Sequence, residues 1–170
     1  MKRAALALAL LSALSTASCE KDHDAALPAP REITDSSTAQ FCGMALNEHS
    51  GPKAQIFVDG LPDPYWFASV RDAFAYLFLP ETPKAVVAVY VNDMAKAKSW
   101  DHPEAGSWID AHSAVFVIGS RRHGGMSADE AIPFGSKTAA SAFVSAEGGR
   151  IVQFADMPQD YVLGANTGEK

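Results

Sequence analysis

Two sulfur atoms two residues apart define the chemistry this chain could perform: Cys42 and Met44, in Phe41-Cys42-Gly43-Met44. A thiolate and a thioether are soft donors, which prefer Cu(I) to hard ions such as Mg²⁺ or Ca²⁺. In extended chain, positions i and i+2 share a face, so both sulfurs can converge on one ion, with Gly43 leaving room for a tight bend. Met126 offers a third sulfur from a glycine-rich loop, Arg121-Arg122-His123-Gly124-Gly125-Met126, where a methionine gains little from packing. His49, near Cys42, and His123, near Met126, are each able to complete a three-coordinate site, and spacing does not choose between them. Met94 and Met157 rank behind these. His23 falls in a polar stretch, and His102 and His112 sit beside or near aspartates and read as surface or pairing residues. The plainer alternatives are a Cys42 buried as a small hydrophobe and a Met126 that plugs a gap over a helix.

Enzyme signatures are missing: there is no G-x-S-x-G, no H-E-x-x-H and no phosphate-binding glycine loop ahead of Lys-Ser/Thr. Cys42 with a histidine could act as nucleophile and base, but nothing in the spacing supplies the third group that would orient the base. The chain has 170 residues and a net charge of -6, with no basic block, so the electrostatic term behind nucleic-acid affinity is absent. No nucleic-acid partner is expected.

The N-terminus gives an address. Met1-Lys2-Arg3, an apolar run over residues 4–14 and the small-residue stretch Ser15-Thr16-Ala17-Ser18 form an export signal over residues 1–18. The run is too short for a bilayer, which needs about 20 apolar residues as helix. Ala17-Ser18 before Cys19 resembles the lipobox of bacterial lipoproteins, which makes Cys19 the expected lipidation site. Losing residues 1–18 removes Lys2 and Arg3 but no acid, so the charge moves from -6 to -8. An acidic domain is repelled by acidic lipid head groups, so a covalent anchor fits better than an electrostatic one. Residues 19–40 read as anchor and flexible tether.

The elements that must position the sulfurs begin near residue 54. Residues 54–58 and 65–68, separated by turn residues, form a hairpin signal. Ser69 with Asp72 resembles a capping box, and Val70, Ala73, Phe74, Leu77 and Phe78 recur at helical spacing until Pro80. Residues 85–91 are β-branched and nearly all apolar, as expected of a strand covered on both faces. A second round reads as strands over 107–110 and 114–118, a helix over 136–147 stopped by Gly148-Gly149, and a strand over 150–154. The expectation is an α+β protein of two similar ββαβ modules, 41–101 and 102–170, packed on each other because neither is large enough alone.

Taken together and in order, Phe41-Cys42-Gly43-Met44, Ser50-Gly51-Pro52-Lys53-Ala54-Gln55, Val91-Asn92-Asp93-Met94, Trp108-Ile109-Asp110-Ala111, Val117-Ile118-Gly119-Ser120 and Gly125-Met126 resemble the NosL family, accessory lipoproteins of nitrous oxide reductase assembly. The resemblance implies a periplasmic, membrane-anchored Cu(I) chaperone. It would pass its ion through an ABC-type assembly complex to apo nitrous oxide reductase. It implies a fold similar to that of the organomercurial lyases. It also implies copper ligation by Cys42 with Met126 first, Met44 next and a histidine as a further ligand, His49 being the nearer to Cys42 in sequence. A thiol-dependent enzyme related to those lyases and a metal-free, membrane-tethered adaptor are the alternatives.

Overall fold

The computed structural model describes residues 27–81 and 85–164, the side chain of Met126 excepted. The expected export signal, Cys19 and His23 lie outside the described residues. Local signals place both long helices. Ser69 caps α1 (Val70–Phe78), its side chain accepting from Asp72 N, and the helix stops ahead of Pro80. Ser136 caps α2 (Lys137–Glu147) by accepting from Ala139 N, and Gly148, at φ +76, takes a positive-φ conformation open to glycine that ends it. A short α3 (Gln159–Leu163) follows near the C-terminus.

Strands β1 (Ala54–Val58), β2 (Tyr65–Phe67), β3 (Val86–Asn92) and β4 (Trp108–Asp110) form one antiparallel sheet in the order β2-β1-β3-β4. Strands β5 (Val115–Ile118), β6 (Ile132–Phe134) and β7 (Arg150–Gln153) form a second, in the order β6-β5-β7. Each sheet therefore sets the first strand of a ββαβ unit between the other two: β1-β2-α1-β3, then β5-β6-α2-β7.

The second unit starts one strand later than the sequence suggests. Trp108–Asp110, expected to open it, instead extends the first sheet, with Val91 opposite Ile109 and Asn92 opposite Trp108. The strand that the pattern misses is β6, because Pro133 interrupts it. Proline is tolerated there since β6 is an edge strand, and the Pro133 carbonyl accepts from Met94 N at 3.0 Å, joining the sheets. Strand β3 is not covered throughout as expected. A register shift opposite Phe57 and Val58 leaves Val87 unpaired and exposed.

Both units share one apolar core. Ile56, Phe67 and Phe74 from the first half cluster with Phe116, Val152 and Val162 from the second. A smaller cluster, Val117, Ile132, Phe134 and Ala140, lies under α2. From Pro28 onward the expected tether is packed on the first sheet. Arg31 N donates to Gln55 Oε1 at 2.8 Å and Gln55 Nε2 to Arg31 O at 3.0 Å. Tyr90 OH donates to Pro28 O, and Gly106 N to the Glu32 carboxylate. The strap meets β1 at Gln55 while Ala54, Ile56 and Val58 face the shared core, and all five β1 residues are buried.

Candidate metal site

The strap turns back on itself just before β1. Thr38 and Ala45 form an antiparallel bridge, Ala39 N donates to Met44 O at 2.9 Å and Gly43 N to Ala39 O at 2.8 Å. Residues 38–45 are thus a tight loop with Cys42 at its tip. Gly43 has φ +68 with open space around it, so its conformation, not crowding, favours glycine. Phe41 rests edge-on against Phe67, ring centroids 5.6 Å apart, and pins the loop to β2. A single 3-10 turn, Leu46–Glu48, then carries the chain inward and buries His49.

The result is a thiol facing solvent and an imidazole facing in. Cys42 is exposed, and its Sγ lies 3.8 Å from Nε2 of His49, which is only 4% exposed. With metal–sulfur and metal–nitrogen bonds of about 2.3 and 2.0 Å, that separation gives about 120° at a shared ion, a trigonal angle. Among the described residues no group of three or more His, Cys, Asp or Glu could hold a metal. Among the described residues, a third soft donor to such an ion would have to be a thioether.

The backbone of Met126 is where such a donor is needed. It lies in the 3-10 turn Gly125–Ser127. A Cβ built on Gly125 would stand 3.2 Å from Cβ and 3.3 Å from Nδ1 of His49. A Cβ on Gly51 would stand 3.3 Å from Cα of Gly124. The two loops touch through glycines, so Cys42, His49 and the Met126 backbone form one neighbourhood drawn from both halves.

The other candidates are placed elsewhere or differently. Met44 is 44% exposed at the rim of the Cys42 loop. His123 is turned to Asp129, Nδ1 to Oδ1 at 3.4 Å, and is exposed. His112 pairs with Asp110, and His102 lines a small cavity with Asp101 and Glu104. Met157 is buried in the shared core and Met94 packs against the smaller cluster. The buried reading of Cys42 does not hold: the loop that carries it projects from the fold.

Residues 30–162 match the NosL family model. This chain belongs to the NosL family. It is 47% identical over 160 residues, 94% of its length and 80% of the relative, to the copper-binding lipoprotein NosL of Achromobacter cycloclastes. It is 31% identical over 154 residues, 89% of its length and 78% of the relative, to that of Stutzerimonas stutzeri. Among solved structures it resembles the copper chaperone NosL from Shewanella denitrificans, with a TM-score of 0.72 and 32% identity over 77% of this chain and 96% of that one. The apo-NosL solution structure from Achromobacter cycloclastes matches with a TM-score of 0.50 and 47% identity over 68% and 94%. These relatives are named as copper-binding proteins and a chaperone, not as enzymes.

Beneath the site this NosL chain buries charge that its sequence does not announce. Lys53 and Glu130 are each 2% exposed. Burial pushes the Glu130 carboxyl up to about 7, against the hydrogen bonds it accepts, and pulls the Lys53 ammonium down to about 8, against the attraction of Glu130 and Asp101. Burial also raises Asp72, opposed by Arg71 and His49. Because the unfolded carboxyl ionises near 4.5, the folded chain binds more protons between 4.5 and 7, and stability falls as pH rises through that window. This group alone should make the protein about 2 kcal/mol more stable at pH 5 than at pH 7. Glu130→Gln, which keeps an acceptor for the same donors, should remove that difference in denaturant titrations at the two pH values. An unchanged pH dependence would show that the carboxyl is already ionised at pH 5.

Proposed function

We propose that this chain is a periplasmic, lipid-anchored Cu(I) chaperone that supplies copper during nitrous oxide reductase maturation. The ion is held by Cys42 Sγ, His49 Nε2 and the Met126 thioether. Met44 stands at the rim as the sulfur that can replace one of them. The observation that carries this reading is the exposed thiol 3.8 Å from a buried imidazole, with the Met126 turn packed on that imidazole. Copper-binding relatives of similar length support it. The donors suit a carrier. Three soft or borderline ligands hold Cu(I) firmly against water, while the fourth direction stays open to an incoming ligand from the acceptor. The acceptors are the ABC-type assembly complex and apo nitrous oxide reductase.

Acylation at Cys19 would hold the domain to the membrane, since among the described residues no helix is long and apolar enough to cross one. Among the described residues the first contact with the domain is made by Pro28, whose carbonyl accepts from Tyr90 OH, so eight residues, 20–27, separate anchor from domain. At full extension they span at most about 28 Å. The site therefore works within reach of the membrane surface.

Anaerobic Cu(I) titration followed by native mass measurement tests the reading. One ion per chain is expected; none would leave a metal-free adaptor. His49→Ala should weaken Cu(I) binding about ten- to hundredfold in chelator competition, because a buried inner ligand is lost while both sulfurs remain. Affinity equal to that of the unaltered chain would remove His49 from the ligand set.

A further inference from the structure

Gly124 is a glycine that its backbone does not require. Its φ of -81 is open to any residue. What excludes a side chain is Glu130: a Cβ at position 124 would lie 2.6 Å from Glu130 Oε2 and 3.3 Å from its Cδ. That carboxylate cannot swing aside. Its Oε1 accepts from Ser69 Oγ at 3.1 Å, Arg71 N at 3.0 Å and Ala131 N at 2.8 Å, and the Glu130 carbonyl accepts from Tyr161 OH at 2.8 Å. Two of these donors belong to the start of α1, in the first half. Among the described residues Oε2 has no hydrogen-bond partner, and it is buried, facing the loop backbone.

On the other side of the same two glycines stands His49, 3.2 Å from the Cβ position of Gly125. The strand of backbone that leads into Met126 is thus clamped between a fixed carboxylate and the inner imidazole, and Gly124 N closes the loop onto Ala128 O at 2.9 Å. Burying a carboxylate with one oxygen unpartnered is costly. A role in stapling the halves is served by Oε1 alone and does not need Oε2 against the loop.

We propose that Glu130 is a positioning residue for the copper site. Held from the N-terminus of α1, its carboxylate sets the height of Gly124-Gly125 and so places Met126 against Cys42 and His49. This rests on the copper reading of the site. The residue acts on the ligands through the two glycines.

The test pairs two substitutions that err in opposite directions. Gly124→Ala pushes the loop away from the carboxylate, and Glu130→Asp, one methylene shorter, withdraws the support. Each should lower Cu(I) affinity in chelator competition at least about tenfold. X-ray absorption at the copper edge should show one sulfur fewer around the ion. In the double variant the added methyl refills the space the shorter acid leaves, and affinity should return to within about threefold of the unaltered chain. A purely structural role would lower melting temperature in both single variants without changing the sulfur count, and could not produce the rescue. Wild-type affinity and sulfur count in Gly124→Ala, or a double variant that is merely the product of the singles, overturns the proposal. If Glu130→Asp does not fold, Gly124→Ala decides alone. If the unaltered chain takes up no Cu(I), the copper reading fails first; if it binds through Cys42 and Gly124→Ala binds equally well, only the positioning role fails.

Discussion

Cys42→Ser is expected to abolish stoichiometric Cu(I) binding, lowering affinity by at least about a thousandfold, or about 4 kcal/mol. The cysteine supplies the ligand that is anionic when bound. A serine hydroxyl is hard and stays protonated at neutral pH, so the substitution removes both softness and charge from the ion's shell. The thioether and imidazole that remain are neutral and would hold copper weakly. The fold should not respond. Cys42 is exposed at a loop tip, among the described residues it is the free cysteine, and the loop's backbone bonds are made by Ala39, Gln40, Gly43 and Met44. Surface changes of this kind stay within about 0.5 kcal/mol. Competition with a calibrated chelator, beside a thermal melt, separates the two effects. Retained affinity in a folded variant would remove the copper site from this loop altogether.

The asymmetry between the two neighbours explains why such a site could release its ion. His49 is fixed from behind by the turn Leu46–Glu48 and from the side by Gly125, whereas Cys42 and Met44 stand on an exposed loop held by backbone hydrogen bonds from Ala39, Gln40 and Gly43 and by the Phe41 ring. An acceptor ligand approaching from solvent meets the sulfurs first. In the proposed carrier, exchange would then proceed one bond at a time from the open side, with the imidazole departing last.

How much of this is legible in the residues depends on whether the cause is local. Ser69 with Pro80, and Ser136 with Gly148, bracket α1 and α2 because caps and stops act over a few residues. The hairpin of β1 and β2 follows from alternation and turn residues. Strand β6 does not, since Pro133 argues against a strand unless one knows that it lies at an edge. Strand β4 is visible as a strand but not as a member of the first sheet, because pairing partners across a sheet leave no mark in the residue pattern. The strap reads as tether because its order comes from long-range polar contacts, Arg31 with Gln55 and Tyr90 with Pro28. Softness singles out Cys42, Met44 and Met126, whereas spacing leaves His49 and His123 open, and only the fold sets His49 beside Cys42 and turns His123 to Asp129. Glu130 gives no signal: adjacent to Asp129 in Ala128-Asp129-Glu130-Ala131 it reads as surface, and only the packed fold shows it buried under a loop.

Phe74→Ala should cost about 3–5 kcal/mol, the usual penalty for emptying an aromatic-sized space in a core. It should also lower the stability of both halves in a single transition. Phe74 projects from α1 and is 2% exposed. Its ring meets Phe116 of β5 and Phe154 beyond β7, both with centroids 5.1 Å away and the first edge-on. The same substitution thus opens a cavity facing both sheets, with Phe116 fully buried and unable to collapse into it without unpairing β5. The second half alone has only the small cluster around Val117 and Phe134 to fall back on. Two autonomous modules would respond otherwise: strands β5, β6 and β7 would keep their amide protection while α1 and its sheet melted. Hydrogen exchange across a denaturant series distinguishes the cases. Protection lost together in both sheets establishes one cooperative unit. That unity is what a metal site shared between the loops of the two halves requires, since the distance from Cys42 to Met126 is only as fixed as the interface beneath them.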